Sequence, residues 1–350
     1  MTDRIIIIGA SGAVGSAIVK HLDRQHNYKL ILAGRRTAPL EQLKQSLVSD
    51  TEILQVDVAR FNDPGVLKGA ALVIMCVDIP DSRIPEACVE QGIRYMDISA
   101  SRQVLQYLEQ TDALAQENKT PMLFSVGLAP GLTNLLAKNV LDQLPDAGAL
   151  EIYVLLGLGE AHGDQAFQWT FENLHKTYSI HQDGFEKPVK SFTESQTTDL
   201  LGQRKFYLFD FVDQHILKKE KGLQSVSTRL AFDNRFFTSV VGFLRSTGLT
   251  KIYRNKQVQR VMMRLLKKIR LGSDVYGIKV IARNEAGKTE SAFLQGHNEG
   301  AVTAAVAAGM VPLLLESKAS GLLHSHELVK DLPAFFALLN QNDNPRMVRL

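Results

Sequence analysis

Three short stretches gather proton-moving side chains beside glycines. In "GLGEAHGD", Glu160, His162 and Asp164 sit among Gly157, Gly159 and Gly163. His162 has an ordinary pKa near neutrality, which makes it the first candidate for acid–base work; its plainer role is a surface histidine in a polar loop. "LQGHNEGAV" carries a second pair, His297 and Glu299, whose plainer role is scaffolding at a domain junction. "IRYMDIS" ends on Asp97 and Ser99. Such groups move protons, but a redox step needs a bound partner. A fourth stretch, "RIIIIGASGAVGS", has the residue types to hold one. Gly9 permits a sharp turn, Gly12 lets backbone approach a pyrophosphate, and Gly15 allows a helix to pack closely. The backbone of Ser11, Ala13 and Val14 at the helix start can then face phosphate.

The spacing G-x-x-G-x-x-G is one residue longer than the common dinucleotide fingerprint and is weak by itself. Its surroundings strengthen it. Residues 5 to 8 are four isoleucines, as a strand covered on both faces requires, and "SAIVKHLDR" has helical apolar spacing. "KLILAGRR", "TEILQVDV", "AALVIMCVD" and "IRYMDIS" read as four further strands with helical patterns such as "SRIPEACVEQG" between them. Alternation of this kind predicts an α/β doubly wound parallel sheet of Rossmann type. Ligands of such sheets bind at the C-terminal ends of the strands, where Asp97, Ser99 and Val77 fall.

The end of the second strand distinguishes the two dinucleotides. A carboxylate there would accept bonds from the ribose hydroxyls and repel a 2′-phosphate. This chain has Arg35 and Arg36 instead, two planar cations suited to a phosphate, so NADP(H) is the expected cofactor; the alternative is a pair of solvated surface arginines. Asp57, closing the third strand, either bonds the adenine amine or caps the following turn.

Composition narrows the field. The 350 residues suffice for two domains; 45% are hydrophobic and 22% charged, with no uninterrupted apolar run near the roughly 18 residues of a membrane span. "MTDR" leads straight into a strand without a signal-peptide layout, so a cytoplasmic location is expected. A net charge of +3 gives no argument for nucleic acid. Cys76 and Cys88 are too few for a disulfide framework or a cysteine zinc site, and no metal-ligand spacing appears. Both lie in the nucleotide region rather than at the start of a second domain, which argues against thiolate acyl chemistry. No tyrosine is followed four residues later by a lysine; Tyr276 and Lys279, three apart, come closest, so the Tyr–Lys proton relay is absent.

Taken together, "GASGAVG", "GRR", "YMDIS", "GLAPGLTNLLAK" and "GHNEGAVTAAVAAGMVPLLLE" resemble the saccharopine dehydrogenase family, least clearly between about 175 and 270. The resemblance implies a dinucleotide domain over 1–130 plus 297–350 and a substrate domain over 131–296, an α+β unit built on a mixed sheet, with a C-terminal helix returning to the first domain. It also implies hydride transfer between NADP(H) and a C–N bond, an imine or secondary amine joining amino-acid units. In that setting Gly127 and Pro130 hold a bend and Gly131 admits the nicotinamide, although Pro-Gly is also ordinary helix-start punctuation. Asp97 either accepts an amine proton, positions the carboxamide, or caps a turn.

Two stretches keep other readings open. Residues 251–271, "KIYRNKQVQRVMMRLLKKIRL", put Val258, Val261, Met262, Leu265 and Ile269 on one helical face and Lys256, Arg260, Arg264 and Lys268 on the other. Such a helix either covers a sheet, the favoured reading, or lies on an anionic membrane surface. "FDNRFFTSVVGFLRSTG" either lines an apolar pocket or packs a core. These favour the alternative of an enoyl (C=C) reductase on an apolar acyl substrate, and the lack of an unmistakable catalytic set favours a non-catalytic NADP(H) sensor. The expected partner is a small-molecule substrate; a homodimer is compatible with the composition.

Overall fold

A computed structural model of the chain describes residues 3–159, 173–248, 257–258 and 272–340. They fall into two compact units, one containing Met1–Leu132 and Gly300–Asn342, the other Thr133–Glu299.

In the first unit, β1 (Asp3–Ile8) buries Ile5 to Ile8 to within 1% of complete exclusion, which is why four branched aliphatic residues in succession suit it. It is followed by α1 (Ala13–Gln25), β2 (Tyr28–Gly34), α2 (Thr37–Lys44), β3 (Glu52–Gln55), β4 (Leu72–Met75), α3 (Arg83–Glu90), β5 (Arg94–Asp97), α4 (Arg102–Glu117) and β6 (Pro121–Phe124). The third strand is shorter than "TEILQVDV" suggests. Asp57 ends it by accepting from the N–H of Ala59, starting a single 3-10 turn over Val58–Arg60. The sheet has seven strands in the order β15-β6-β5-β4-β1-β2-β3, all neighbours parallel. The outermost, β15 (Gly321–His324), arrives from the far end of the chain and pairs with β6. Crossing between β4 and β1 reverses the winding direction, and that switch point opens the crevice in which ligands of such sheets bind.

The helix that precedes β15, Glu299–Glu316, is 18 residues long with hydropathy 1.4, enough by length and composition to cross a bilayer and more apolar than the sequence reading allowed. From Gly300 onward it belongs to the first unit, where Val302, Ala304 to Val311 and Leu314 are buried and Arg94 Nε donates to the carbonyl of Leu314. It is built as a core helix. After β15 follow two helices, Ser325–Leu328 and Leu332–Asn340, the second with Pro333 in its first turn.

The second unit is a mixed sheet in the order β10-β11-β12-β7-β13-β14, with the hairpin β8–β9 attached to β12. Its centre is the parallel pair β7 (Ala149–Leu156) and β12 (Ser225–Phe232), flanked by β13 (Val275–Arg283) and β14 (Thr289–His297), which form an antiparallel hairpin. The helix α5 (Thr133–Gln143) covers the face bearing Leu150, Ile152 and Val154. The remaining strands are β8 (Thr177–Gln182), β9 (Phe185–Lys190), β10 (Gln196–Asp199) and β11 (Gln203–Leu208).

Candidate functional site

The turn after β1 is held by its neighbours rather than by side chains. Gly9 takes φ +88°, and both its N–H (2.8 Å) and that of Ala10 (3.2 Å) donate to the carbonyl of Ala33 on β2. Gly12 N–H donates back to Gly9 O (2.9 Å). A Cβ on Gly15 would lie 2.3 Å from Gly9 O, so only glycine lets α1 begin this close to the turn. No side chain caps α1 and no acidic residue occupies its first turn. The N–H groups of Ala13 and Val14 therefore meet no protein acceptor, while Ser11, Gly12 and Ala13 stand exposed. The result is a backbone cradle with a positive helix end facing outward.

At the tip of β2, Arg35 and Arg36 are exposed, and among the described residues neither forms an ion pair. Gln55 Nε2 donates to Arg35 O (3.1 Å), tying this corner to β3. Asp57 commits one carboxylate oxygen to its cap. From β4, Val77 leans against the turn so closely that a Cβ on Gly9 would come 2.8 Å from its Cγ1. The cradle, the two free cations and the wall at Val77 all belong to the C-terminal edge of one sheet.

Asp97 closes β5 with 0% exposure. Its Oδ2 accepts from the Tyr95 hydroxyl (2.6 Å) and its Oδ1 from Ser99 N–H (2.8 Å). Burial drives its carboxyl up to about 7, against those hydrogen bonds, and the charge of Asp78 raises it further. Of the roles the sequence leaves open for Asp97, the contacts present are those of the turn anchor: it has no exposed surface and both oxygens are engaged. Ser99, 9% exposed, is likewise used internally, donating to Asp78 and receiving Ser101 N–H (3.0 Å).

The segment Gly127, Pro130, Gly131 departs from helical geometry at Ala129–Gly131 before α5 begins, and the Ala129–Pro130 bond is cis. Gly131 has φ +139°, and a Cβ there would meet Ser125 O at 3.1 Å. All three residues are buried; Gly127 packs against Thr303, so its contact is with the core helix 299–316. Next to this bend, Ser125 Oγ lies 2.9 Å from His324 Nδ1, and the ring of His324 stacks at 5.9 Å on that of His326. Sequence reasoning passed over Ser125 and His324, which are 199 positions apart and meet only because β15 pairs with β6.

The other candidates belong to the second unit. His297 is exposed, and its Nδ1 is 2.6 Å from Asp274 Oδ1; that contact holds the Asp274 carboxyl below the usual carboxylate range. Gly157 and Gly159 are close-packing positions, with a Cβ on either meeting the backbone of Gly272 or Ser273. His162, Glu160, Asp164 and the single tryptophan lie outside the described residues, as does nearly all of 251–271. Of the phenylalanine-rich stretch, Phe232 packs on Phe237 (5.3 Å), whereas Phe236 and Phe243 are exposed.

Strand order, glycine turn and the arginine pair define a Rossmann-type dinucleotide domain. Residues 5–122 match the family model described as the saccharopine dehydrogenase NADP binding domain. A curated relative, the mitochondrial alpha-aminoadipic semialdehyde synthase of Rattus norvegicus, is 23% identical over 177 residues, covering 49% of this chain and 19% of its own. The chain thus spans about a fifth of that relative's length. Among solved structures, apo saccharopine dehydrogenase (L-Glu forming) from Saccharomyces cerevisiae shares the fold over 99% of this chain and 100% of its own, with TM-score 0.66 and 13% identity. A meso-dapdh mutant with DAP from Clostridium tetani shares it at TM-score 0.50 and 12% identity, over 95% and 98%. The N-terminal part of the chain is thus similar to the NADP-binding domain of saccharopine dehydrogenases, and the described fold is shared with the yeast enzyme. The residues fit the cofactor: a glycine cradle that a Cβ would close at Gly9 and Gly15, and, among the described residues, amides at Ala13 and Val14 without an acceptor and two guanidinium groups without an ion pair.

Proposed function

We propose that the chain is an NADP(H)-dependent dehydrogenase or reductase that transfers hydride to or from a C–N bond of an amino-acid-derived substrate. The observation that carries the cofactor half is the open cradle beside Arg35 and Arg36, with no carboxylate at the β2 tip to turn a 2′-phosphate away. The C–N half rests on the likeness of fold to proteins named for saccharopine and DAP. When bound, NADP(H) supplies the hydride chemistry.

The protein's own part is binding, orientation and proton handling. Backbone amides of Ser11, Ala13 and Val14 would receive the pyrophosphate, and Arg35 and Arg36 would offer forked donors to the 2′-phosphate. Asp97, by tying Tyr95 to Ser99, keeps the β5 turn in place without touching the reacting atoms. His324, part-buried at the end of β15 and held through Nδ1 by Ser125, is the imidazole this sheet edge offers for a proton.

The test is a fluorescence titration with NADPH and NADH, beside Arg35→Asp, followed by NADPH oxidation with pairs of an amino acid and a 2-oxo acid or aldehyde. Tighter NADPH binding that weakens about tenfold or more in the variant is expected, with turnover only when both halves of an imine are supplied. Equal binding of the two nucleotides overturns the cofactor assignment. Turnover with an enoyl thioester alone would replace C–N chemistry by C=C reduction.

A further inference from the structure

The mixed sheet of the second unit has two unlike faces. Register places Leu150, Ile152 and Val154 beside Val226, Thr228 and Leu230; α5 packs on the β7, β13 and β14 part of this face and the helix Val212–Leu217 on β12, where Thr228 Oγ1 donates to Asp213 Oδ1 (2.7 Å). The alternate residues point the other way. There Glu151 pairs in register with Ser227 and Ile281, Tyr153 with Arg229, and Ala149 with Arg283. Where the apolar cover of this second face stops, a cavity of about 710 Å³ opens, lined mainly by polar side chains from β7, β8, β10, β12 and β13.

Its floor holds an ion pair in which the cation's hydrogen bonding is left incomplete. Arg229 is 7% exposed, yet its guanidinium makes one side-chain hydrogen bond, from Nη1 to the neutral Ser227 Oγ (2.7 Å). Glu151 forms an ion pair with Nη1 at 3.8 Å, too long for a hydrogen bond, and Arg229 Nε is buried with no acceptor. A buried guanidinium is costly unless charge and hydrogen bonds offset its desolvation. A residue spent only on packing would be apolar at this position. Glu151, one-quarter exposed, faces the same space, while Arg283 stands at the exposed end of the wall and Tyr153 donates to Gln196 Oε1 (2.6 Å).

We infer that this cavity is a binding site for a free α-amino acid, whose carboxylate completes the hydrogen bonding of Arg229 and whose ammonium group lies on Glu151. The mixed charge of the walls is the reason for choosing a zwitterion. A simple anion would satisfy Arg229 but face Glu151, Glu194 and Asp183; a simple amine would compete with Arg229 for Glu151 and leave Arg229 Nε without an acceptor. The forked guanidinium suits a planar carboxylate, and a cavity of this size admits a side chain beyond the two charged groups. The site lies wholly within the second unit, on residues unconnected with the NADP cradle, and its existence does not depend on the proposed hydride transfer.

Calorimetry on the full chain tests this. The probes are the proteinogenic L-amino acids at millimolar concentration, each binder then repeated as its N-acetyl derivative and as the decarboxylated amine. Binding by at least one amino acid is expected, weakened about tenfold or more by either chemical change and by Glu151→Gln or Arg229→Gln, with NADPH affinity unchanged. Glu151→Gln serves if the buried Arg229 variant fails to fold. No binding across the panel, or binding that survives Glu151→Gln undiminished, overturns the site. Loss of NADPH binding in the unaltered chain would instead strike the redox reading and leave this one standing.

Discussion

Asp97 gives the sharpest quantitative expectation. In the folded chain burial lifts its carboxyl from 3.8 to about 7. The native state therefore keeps a proton that the unfolded chain releases near about pH 4, and between about pH 4 and about pH 7 stability falls as the pH rises. About three pH units at about 1.4 kcal/mol each amount to a penalty of about 4 kcal/mol, complete above about pH 7 and absent below about pH 4. Asp97→Asn removes the ionisation but keeps Oδ1 as acceptor for Ser99 N–H, and the Tyr95 hydroxyl can reverse to accept from the new amide. Imperfect geometry for the reversed bond takes back part of the gain. The variant should be about 2–4 kcal/mol more stable than the parent at about pH 8, and at about pH 4, where only the geometric cost remains, equal to the parent or up to about 2 kcal/mol less stable. Urea unfolding of both proteins across this range measures it, and the difference curve isolates Asp97 from every other titrating group. Parallel curves, or an asparagine variant less stable at about pH 8, would show that the native carboxyl is ionised and well solvated.

Two other outcomes follow from geometry already described. Gly15→Ala puts a methyl group 2.3 Å from Gly9 O, so α1 must move off the turn; thermal unfolding should register about 1–3 kcal/mol of lost stability, and NADPH titration a loss of about tenfold or more. Cys76 and Cys88 both have thiols pushed upward by burial, and Asp97 adds to the effect at Cys76. Neither should be alkylated by iodoacetamide in the native protein at mildly alkaline pH, while both react in urea; mass spectrometry that finds either modified before unfolding would contradict their placement.

What was legible in the sequence was local. Four isoleucines followed by glycines at fixed offsets specify a strand, a turn and a helix within twenty residues, and the arginines after β2 announce themselves by the carboxylate they replace. Asp57 resolved towards its cap because an aspartate two residues before an open N–H needs no tertiary partner. Asp97 was harder: whether a carboxylate at a strand end is bare or buried depends on Tyr95 folding back beneath it, and alternation alone does not show that. Ser125 and His324 were illegible because no periodicity links positions 199 apart. The same holds for Arg229, an arginine in an otherwise ordinary strand whose burial is set by the strands on either side.

The origin of β15 also shapes how the protein is made. Between Phe124, the last residue of β6, and Gly321 lie nearly two hundred residues, most of them in the second unit. On a ribosome adding roughly 5–20 residues per second, β6 emerges about 10–40 s before the strand that will pair with it. During that interval the nucleotide sheet carries a bare edge of buried-type residues, Pro121 to Phe124, while an entire second unit is still being synthesised. Unpaired edges of this kind recruit other strands. A holding chaperone, or early folding of the second unit while the first waits, is the sort of protection such a chain order calls for.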